Sequence, residues 1–208
     1  MSFNMTKRKD HWERVYSDKS PFEVSWYQNE PSVSLRLIEN CQLEKNEPVI
    51  DVGGGASVLV DRLLEKGYTR LAALDISSKA LDFARNRLGN KAQYVEWFET
   101  DITEFSSRRQ FSLWHDRAVF HFLTDPGDRE KYVEILGKTL RPGGYCIIAA
   151  FAVGGPMKCS GLNVVQYNAE KISDAFGGQF ELIGETGETH ITPAKKEQLF
   201  SYFSLLRK

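Results

Sequence analysis

Val49-Ile50-Asp51-Val52-Gly53-Gly54-Gly55-Ala56-Ser57 is the stretch whose reading decides the fold. Its first residues form an apolar, β-branched run of the kind that builds a buried parallel strand. Three glycines follow. After them Leu59 and Leu63, with Val60 and Leu64, recur at the i, i+4 spacing of a helix. Strand, glycine turn and helix bring backbone close to a nucleotide-like ligand, and a Cβ in that turn would block either the bend or the ligand.

The glycine spacing narrows the choice of nucleotide. A dinucleotide fingerprint asks for Gly-x-Gly-x-x-Gly; Gly53 and Gly55 supply two glycines, but the third position falls on Val58. A nicotinamide dehydrogenase is disfavoured on that ground. The stretch instead resembles the first motif of the class I S-adenosylmethionine-dependent methyltransferases. That motif runs acidic residue, x, Gly, x, Gly, x, small residue, and Asp51, Gly53, Gly55 and Ser57 match it, with Gly54 inside the loop. The resemblance implies S-adenosylmethionine as cofactor, which carries no phosphate and so needs no third glycine.

Length and composition set the bounds. With 208 residues, 41% hydrophobic and 12% aromatic, the chain is long enough to bury a core as one domain. A formal charge of -1 gives no electrostatic case for nucleic acid. The small basic groups, Lys7-Arg8-Lys9, Arg108-Arg109, Lys195-Lys196 and Arg207-Lys208, read as solvated surface clusters. The first residues lack an apolar signal-like core, and no run is long enough to span a bilayer. Cys41, Cys146 and Cys159 are scattered and lack C-x-x-C spacing, and the four histidines lack metal spacing. The expectation is a reduced, cytoplasmic protein with no metal and no membrane partner, a monomer or weak homodimer.

Taken in order, residues 7–17 read as a helix with Trp12, Val15 and Tyr16 on one side, broken at Ser20-Pro21. Residues 22–28 form an aromatic loop containing Trp26-Tyr27-Gln28, and Pro31 opens a second helix with Leu35 and Ile38 inward. Residues 1–42 are therefore expected to cap the cofactor site. Trp12 and Trp26 are candidates for a lid; gluing the N-terminal helix to the body is the other reading. Residues 71–74 form a second strand ending at Asp75, near the ~20-residue offset from the first strand at which a carboxylate grips ribose hydroxyls. Its rival role is charge at the start of the next helix, expected over 78–88. Ile76 follows it at the cofactor site.

A third strand over 94–98 leads to Asp101 and Ile102. In the resembled family these positions receive the adenine amino group and pack on its ring; capping a turn is the alternative for Asp101. A fourth strand over 111–115 leads into Asp116, Arg117 and His121, where strand ends face the ligand crevice of an open α/β sheet. Arg117 suits a carboxylate of cofactor or substrate, and His121 suits proton transfer near neutrality. A local Asp116–Arg117 ion pair and a hydrogen-bonded core histidine are the competing readings. Asp125-Pro126 starts a helix, and Arg141-Pro142-Gly143-Gly144 turns into a fifth strand over 145–151. Residues 153–161 form a loop that overhangs the pocket, a helix runs from about 169 to 176, and the last strands are expected at 180–185 and 199–206. Residues 188–193 between them are a second rim loop.

This order predicts an α/β, Rossmann-like, doubly wound seven-stranded sheet with its last strand antiparallel and helices on both faces. A narrower resemblance, to thiopurine methyltransferase and its thiol and chalcogen relatives, rests on Trp114-His115-Asp116-Arg117-Ala118, Pro126-Gly127-Asp128-Arg129 with Tyr132, Gly155-Pro156, and Glu188 with His190. His115 interrupts the tryptophan–aspartate pair of that pattern. Neither an N/D-P-P-Y/F motif nor an acidic metal triad is present. The expected activity is methyl transfer to a small-molecule nucleophile, a thiol or similar group. A protein lysine acceptor, or a non-catalytic adenosylmethionine-binding module, is the alternative.

Overall fold

The computed structural model describes residues 5–208. Residues 1–4 of the expected cap lie outside them. The chain runs α1 (Met5–Asp18), α2 (Ser32–Asn40), β1 (Val49–Val52), α3 (Leu59–Glu65), β2 (Leu71–Asp75), α4 (Ser78–Leu88), β3 (Val95–Glu99) and β4 (Phe111–Arg117). It continues through α5 (Pro126–Thr139), β5 (Leu140–Phe151), a small hairpin of β6 (Lys158–Cys159) and β7 (Leu162–Asn163), α6 (Ala169–Phe176), β8 (Phe180–Ile191) and β9 (Glu197–Arg207).

Seven strands form one sheet in the order β3-β2-β1-β4-β5-β9-β8. The first five are parallel, and β9 runs antiparallel to both β5 and β8. Strand alternation sends Val49, Leu71, Leu113 and Ile147 to one face, under Leu35 and Ile38 of α2 and Leu59 and Leu63 of α3. Ile50, Ala72, Trp114 and Ile148 go to the other face, under Tyr132 and Leu136 of α5 and Ile172 and Phe176 of α6. With both faces covered, the central strands carry the near-continuous apolar runs that the sequence displays. The reversal of direction between β1–β2 and β1–β4 opens a crevice above the C-terminal end of β1.

Local signals set most boundaries. Ser77 caps α4 by accepting the Ala80 N–H, Asp125 caps α5 ahead of Pro126, and Asn168 caps α6 by accepting the Lys171 N–H. The last sheet strands depart from expectation. β8 and β9 pair from Phe180↔Arg207 to Ile191↔Glu197, so Glu188 and His190 belong to a strand and the rim loop contracts to a turn. An edge strand solvated over much of its length needs no apolar alternation, and its ladder to β9 holds it. The Arg141-Pro142-Gly143-Gly144 turn is likewise absorbed into β5 as an irregularity, with the register passing from Phe111↔Leu140 to Leu113↔Tyr145. Gly143 takes φ +70° there, which suits glycine. β3 begins at Val95 and not at Tyr94. No described helix is long and apolar enough to cross a membrane.

Candidate active site

A cavity of about 390 Å³ lies over the C-terminal ends of the parallel strands. Gly53, Asp75, Ile76, Asp101 and Ile102 line its β1–β3 side; Arg117, Val119 and Phe122 line the β4 side. Arg8, Trp12 and Tyr16 of α1, with Trp26, form part of its wall. Its size falls within the roughly 300–1,000 Å³ of small-molecule sites.

The three glycines are each required by a close approach. Gly53 has φ +69°, and a Cβ there would sit 2.1 Å from Val119 Cγ2. A Cβ on Gly54 would meet Asp51 Oδ2 at 2.5 Å, and one on Gly55 would meet Asp75 Oδ2 at 2.5 Å. The loop thus carries no side chains because two buried carboxylates stand behind it. Gly53 lines the cavity, whereas Gly54 and Gly55 form its backing; Ser57 lines a side pocket and accepts the Leu59 N–H with its hydroxyl.

Asp75 accepts the backbone N–H groups of Gly55 at 3.1 Å and Ser77 at 2.9 Å. Burial pushes its pKa up to about 6, against the lowering effect of those two bonds. Asp101 does cap a turn, accepting from Thr103 N and Oγ1 at 2.9 Å through Oδ1. Its Oδ2 faces Arg8 at 3.3 Å, and the same guanidinium bonds Asp128. Reading Lys7-Arg8-Lys9 as a solvated cluster is therefore corrected at its middle residue. Arg8, Trp12 and Tyr16 recur at four-residue intervals on α1, a stripe visible in the sequence once Arg8 is allowed to join it.

Trp12 and Trp26 both line the cavity and pack edge-on, with centroids 5.6 Å apart, and Trp12 meets Phe122 at 5.0 Å. They are wall and glue at once. Glu13 adds a tether by accepting the Ser78 N–H at 2.7 Å.

The β4 cluster is divided by strand alternation. Arg117 lines the cavity, but its guanidinium donates to Trp26 O at 2.9 Å, Tyr202 Oη at 2.8 Å and Glu188 Oε2 at 3.4 Å. It also lies 4.3 Å above the Phe200 ring. Gln28 donates to the other Glu188 oxygen at 2.8 Å, and the His190 ring nitrogen Nε2 meets Ser25 O at 2.8 Å. Arg117, Glu188 and His190 thus clasp the aromatic loop onto the far edge of the sheet. The Asp116–Arg117 ion pair does not form.

Asp116 is corrected out of the cavity wall. It is fully buried, accepts from Tyr132 Oη at 2.6 Å and from the Val119 and Phe120 N–H groups, and has its pKa raised to about 6 by burial. His121 is corrected likewise. It is fully buried, its Nδ1 accepts the Phe151 N–H at 3.4 Å, and burial with nearby Arg117 lowers its pKa to about 3. It is the core histidine of the competing reading, held neutral.

Asp51 is buried beside the loop and does not line the main cavity. It borders a side pocket of about 50 Å³ together with Ser34, Gly53, Ser57, His115 and Arg117. His115 Nδ1 lies 2.7 Å from Asp51 Oδ1, and its Nε2 lies 2.9 Å from Ser34 Oγ. Among the described residues Asp51 Oδ2 has no hydrogen-bond partner. Sequence spacing gave no warning of this array, because Ser34, Asp51 and His115 come from α2, β1 and β4.

Known proteins share this framework. A family model described as a methyltransferase domain matches residues 49–144, which hold β1 to β4 and α5. EEF1A lysine methyltransferase 2 from Danio rerio is 25% identical over 85% of this chain and 76% of its own length. Nodulation protein S from Rhizobium tropici is 29% identical over 49% of this chain and 42% of its own. Among solved structures, the N-methyltransferase NodS from Bradyrhizobium japonicum WM9 in complex with S-adenosyl-L-homocysteine superposes with a TM-score of 0.69 at 16% identity, over 95% of this chain and 99% of that one. A structure from work on conversion of a disulfide bond into a thioacetal group during echinomycin biosynthesis reaches 0.79 at 16% identity, over 96% and 91%. These two show the shared fold. The glycine loop, the acids behind it, the sheet order and the matched methyltransferase domain together support a class I S-adenosylmethionine-dependent methyltransferase.

Proposed function

We propose that the chain methylates a small-molecule nucleophile, a thiol or similar group, beneath a roof made by residues 5–42 of a single methyltransferase domain. The cofactor supplies a methyl group on a sulfonium. The residues present fit it: a cavity-facing carboxylate at Asp75 for ribose hydroxyls, Asp101 and Ile102 for adenine, and Ile76 beside them. Gly53, with Gly54, Gly55 and Ser57 around it, leaves room for the chain that joins ribose to the amino acid. Asp51, with one buried oxygen lacking a donor, suits the cofactor's ammonium.

The observation that carries the acceptor class is the character of the β4 wall. Trp12, Trp26, Val119, Phe122 and Leu162 are aromatic or aliphatic. Arg117 is engaged in its clasp, and His121 stands outside the wall as a neutral core residue. No described imidazole lines this cavity. Four described carboxylates do so: Asp75 and Asp101 beyond the ends of β2 and β3, and Asp125 and Asp128 at the start of α5, with Arg8 bridging Asp101 and Asp128. Asp125 is occupied in capping α5 through the Gly127 N–H, so the β4 wall suits an acceptor that already carries a free lone pair. A thiol of pKa ~8.5 is a few per cent ionised at neutral pH, whereas a lysine amine of ~10.4 is almost wholly protonated. A dry aromatic wall also favours a step in which thiolate and sulfonium charges cancel.

Methyl-labelled cofactor, offered with small thiols, small amines and a protein lysate, tests this reading. Label entering a thioether in the small-molecule fraction is expected. Label confined to protein lysine would overturn it. That second reading is favoured by one observation, the lysine methyltransferase relative aligned over most of the chain.

A further inference from the structure

We infer that His115 is a positioning residue: it aims the free oxygen of Asp51 into the side pocket, and the group received there is the aminoacyl end of the cofactor. The inference rests on the cofactor reading above, which already gives Asp51 to the cofactor's ammonium, and adds to it the residue that orients Asp51.

Asp51 and His115 are register partners on adjacent parallel strands, so their side chains leave the same face of the sheet side by side. Both side chains are nearly sealed from solvent, at 4% and 3% exposure. An ionised carboxylate has no proton to give, so Nδ1–H of His115 donates to Asp51 Oδ1 at 2.7 Å. At the other end of the ring Nε2 meets the Ser34 hydroxyl at 2.9 Å. Ser34 is itself fully buried on α2. The ring is therefore held from both ends, and the carboxylate has one orientation.

In that orientation Oδ2 has no partner among the described residues, and Gly54 offers no side chain to cover it; a Cβ there would lie 2.5 Å away. A buried carboxylate oxygen without a donor is costly unless a ligand supplies one. The side pocket beside it measures about 50 Å³, room for one ammonium- or carboxylate-sized group when a water's share of liquid volume is about 30 Å³. It shares Gly53, Tyr16, Trp26 and Arg117 with the main cavity, so one elongated ligand can span both. A cationic donor is what an unpartnered carboxylate oxygen selects.

The test compares two ligands that differ only at this end. S-Adenosylhomocysteine carries the amino acid; 5′-methylthioadenosine keeps the nucleoside and sulfur but lacks it. In His115→Phe, calorimetry is expected to show adenosylhomocysteine bound about tenfold or more weakly, with methylthioadenosine changed less than twofold. His115→Asn, whose amide takes the place of Nδ1, restores adenosylhomocysteine binding to within about threefold. His115→Gln keeps polarity but moves its amide toward Nε2, and does not restore it. This Asn–Gln pair keeps the test valid if the phenylalanine variant fails to fold. Equal weakening of both ligands, or no weakening of either, overturns the positioning role alone. A wild-type chain that binds neither ligand would overturn the cofactor reading itself.

Discussion

On the β1–β2 side of the cavity, Asp75 takes its hydrogen bonds from Gly55, 20 residues away, and Ser77, two residues away. On the β4 side, Arg117 reaches Trp26 across 91 residues and Glu188 across 71, while Gln28 reaches Glu188 across 160. The first side is assembled from consecutive strand–turn–helix units, so each unit brings its own backbone donors. The second exists only when the N-terminal loop, β4, β8 and β9 have all come together. The difference teaches that the two sides should fail differently: damage to the first removes cofactor affinity, and damage to the second loosens the roof over the reacting groups.

Asp75→Asn should produce the largest effect. Its amide presents donors where ribose hydroxyls need an acceptor, and adenosylhomocysteine affinity is expected to fall about 100-fold, roughly 3 kcal/mol. Calorimetry reads it directly, and unchanged affinity would break the assignment of this side to the cofactor.

Arg117→Met comes next. It takes the clasp from Glu188, whose side chain is only 14% exposed, and releases Trp26 O and Tyr202. Turnover is expected to drop about tenfold through lost alignment, while adenosylhomocysteine affinity changes less than threefold. Limited proteolysis should then cut within residues 20–28. A variant with normal turnover and a protected loop would erase the contrast between the two sides.

The raised pKa of Asp75, about 6 in the free protein, sharpens the comparison further. Hydroxyl donors favour the ionised carboxylate, so bound cofactor lowers this pKa and binding releases a proton below it. Affinity should stay level above pH 7 and decline as pH falls through 6, approaching tenfold, or about 1.4 kcal/mol, per pH unit. Asp75→Asn should abolish that slope. Calorimetry from pH 5 to 7.5 checks the sign.

Arg8→Met should have the smallest effect. The Arg8 bridge to Asp101 and Asp128 holds α1 over the cavity, but its side chain is 15% exposed and partly screened. Its loss is expected to speed adenosylhomocysteine release about threefold, under 1 kcal/mol. Stopped-flow fluorescence can follow this through Trp12 and Trp26; an unchanged rate would detach α1 from cofactor release.

The sequence by itself determined the crossover that begins at Val49, the acidic residues at the end of β2 (Asp75) and just beyond β3 (Asp101), and the helix start at Asp125. Each depends on periodicity or turn chemistry within a few residues, which a linear reading can follow. It also marked Trp12, on one side of the first helix, and Trp26, in the aromatic loop, because large aromatics need a neighbour to pack on. Tertiary structure alone decided the fate of the polar cluster on β4. Alternation turned Asp116 toward Tyr132 and Arg117 toward the cavity, so adjacent letters took opposite roles. His121 went to the core, and His115 found Asp51 and Ser34 on other elements. The second half of β8, from Thr186 to Ile191, declared itself only through its ladder to β9, since an edge strand with solvated polar residues carries no apolar signature. Local backbone chemistry is written in neighbouring residues; which side chain meets which across the sheet depends on register and on how the ends of the chain fold back.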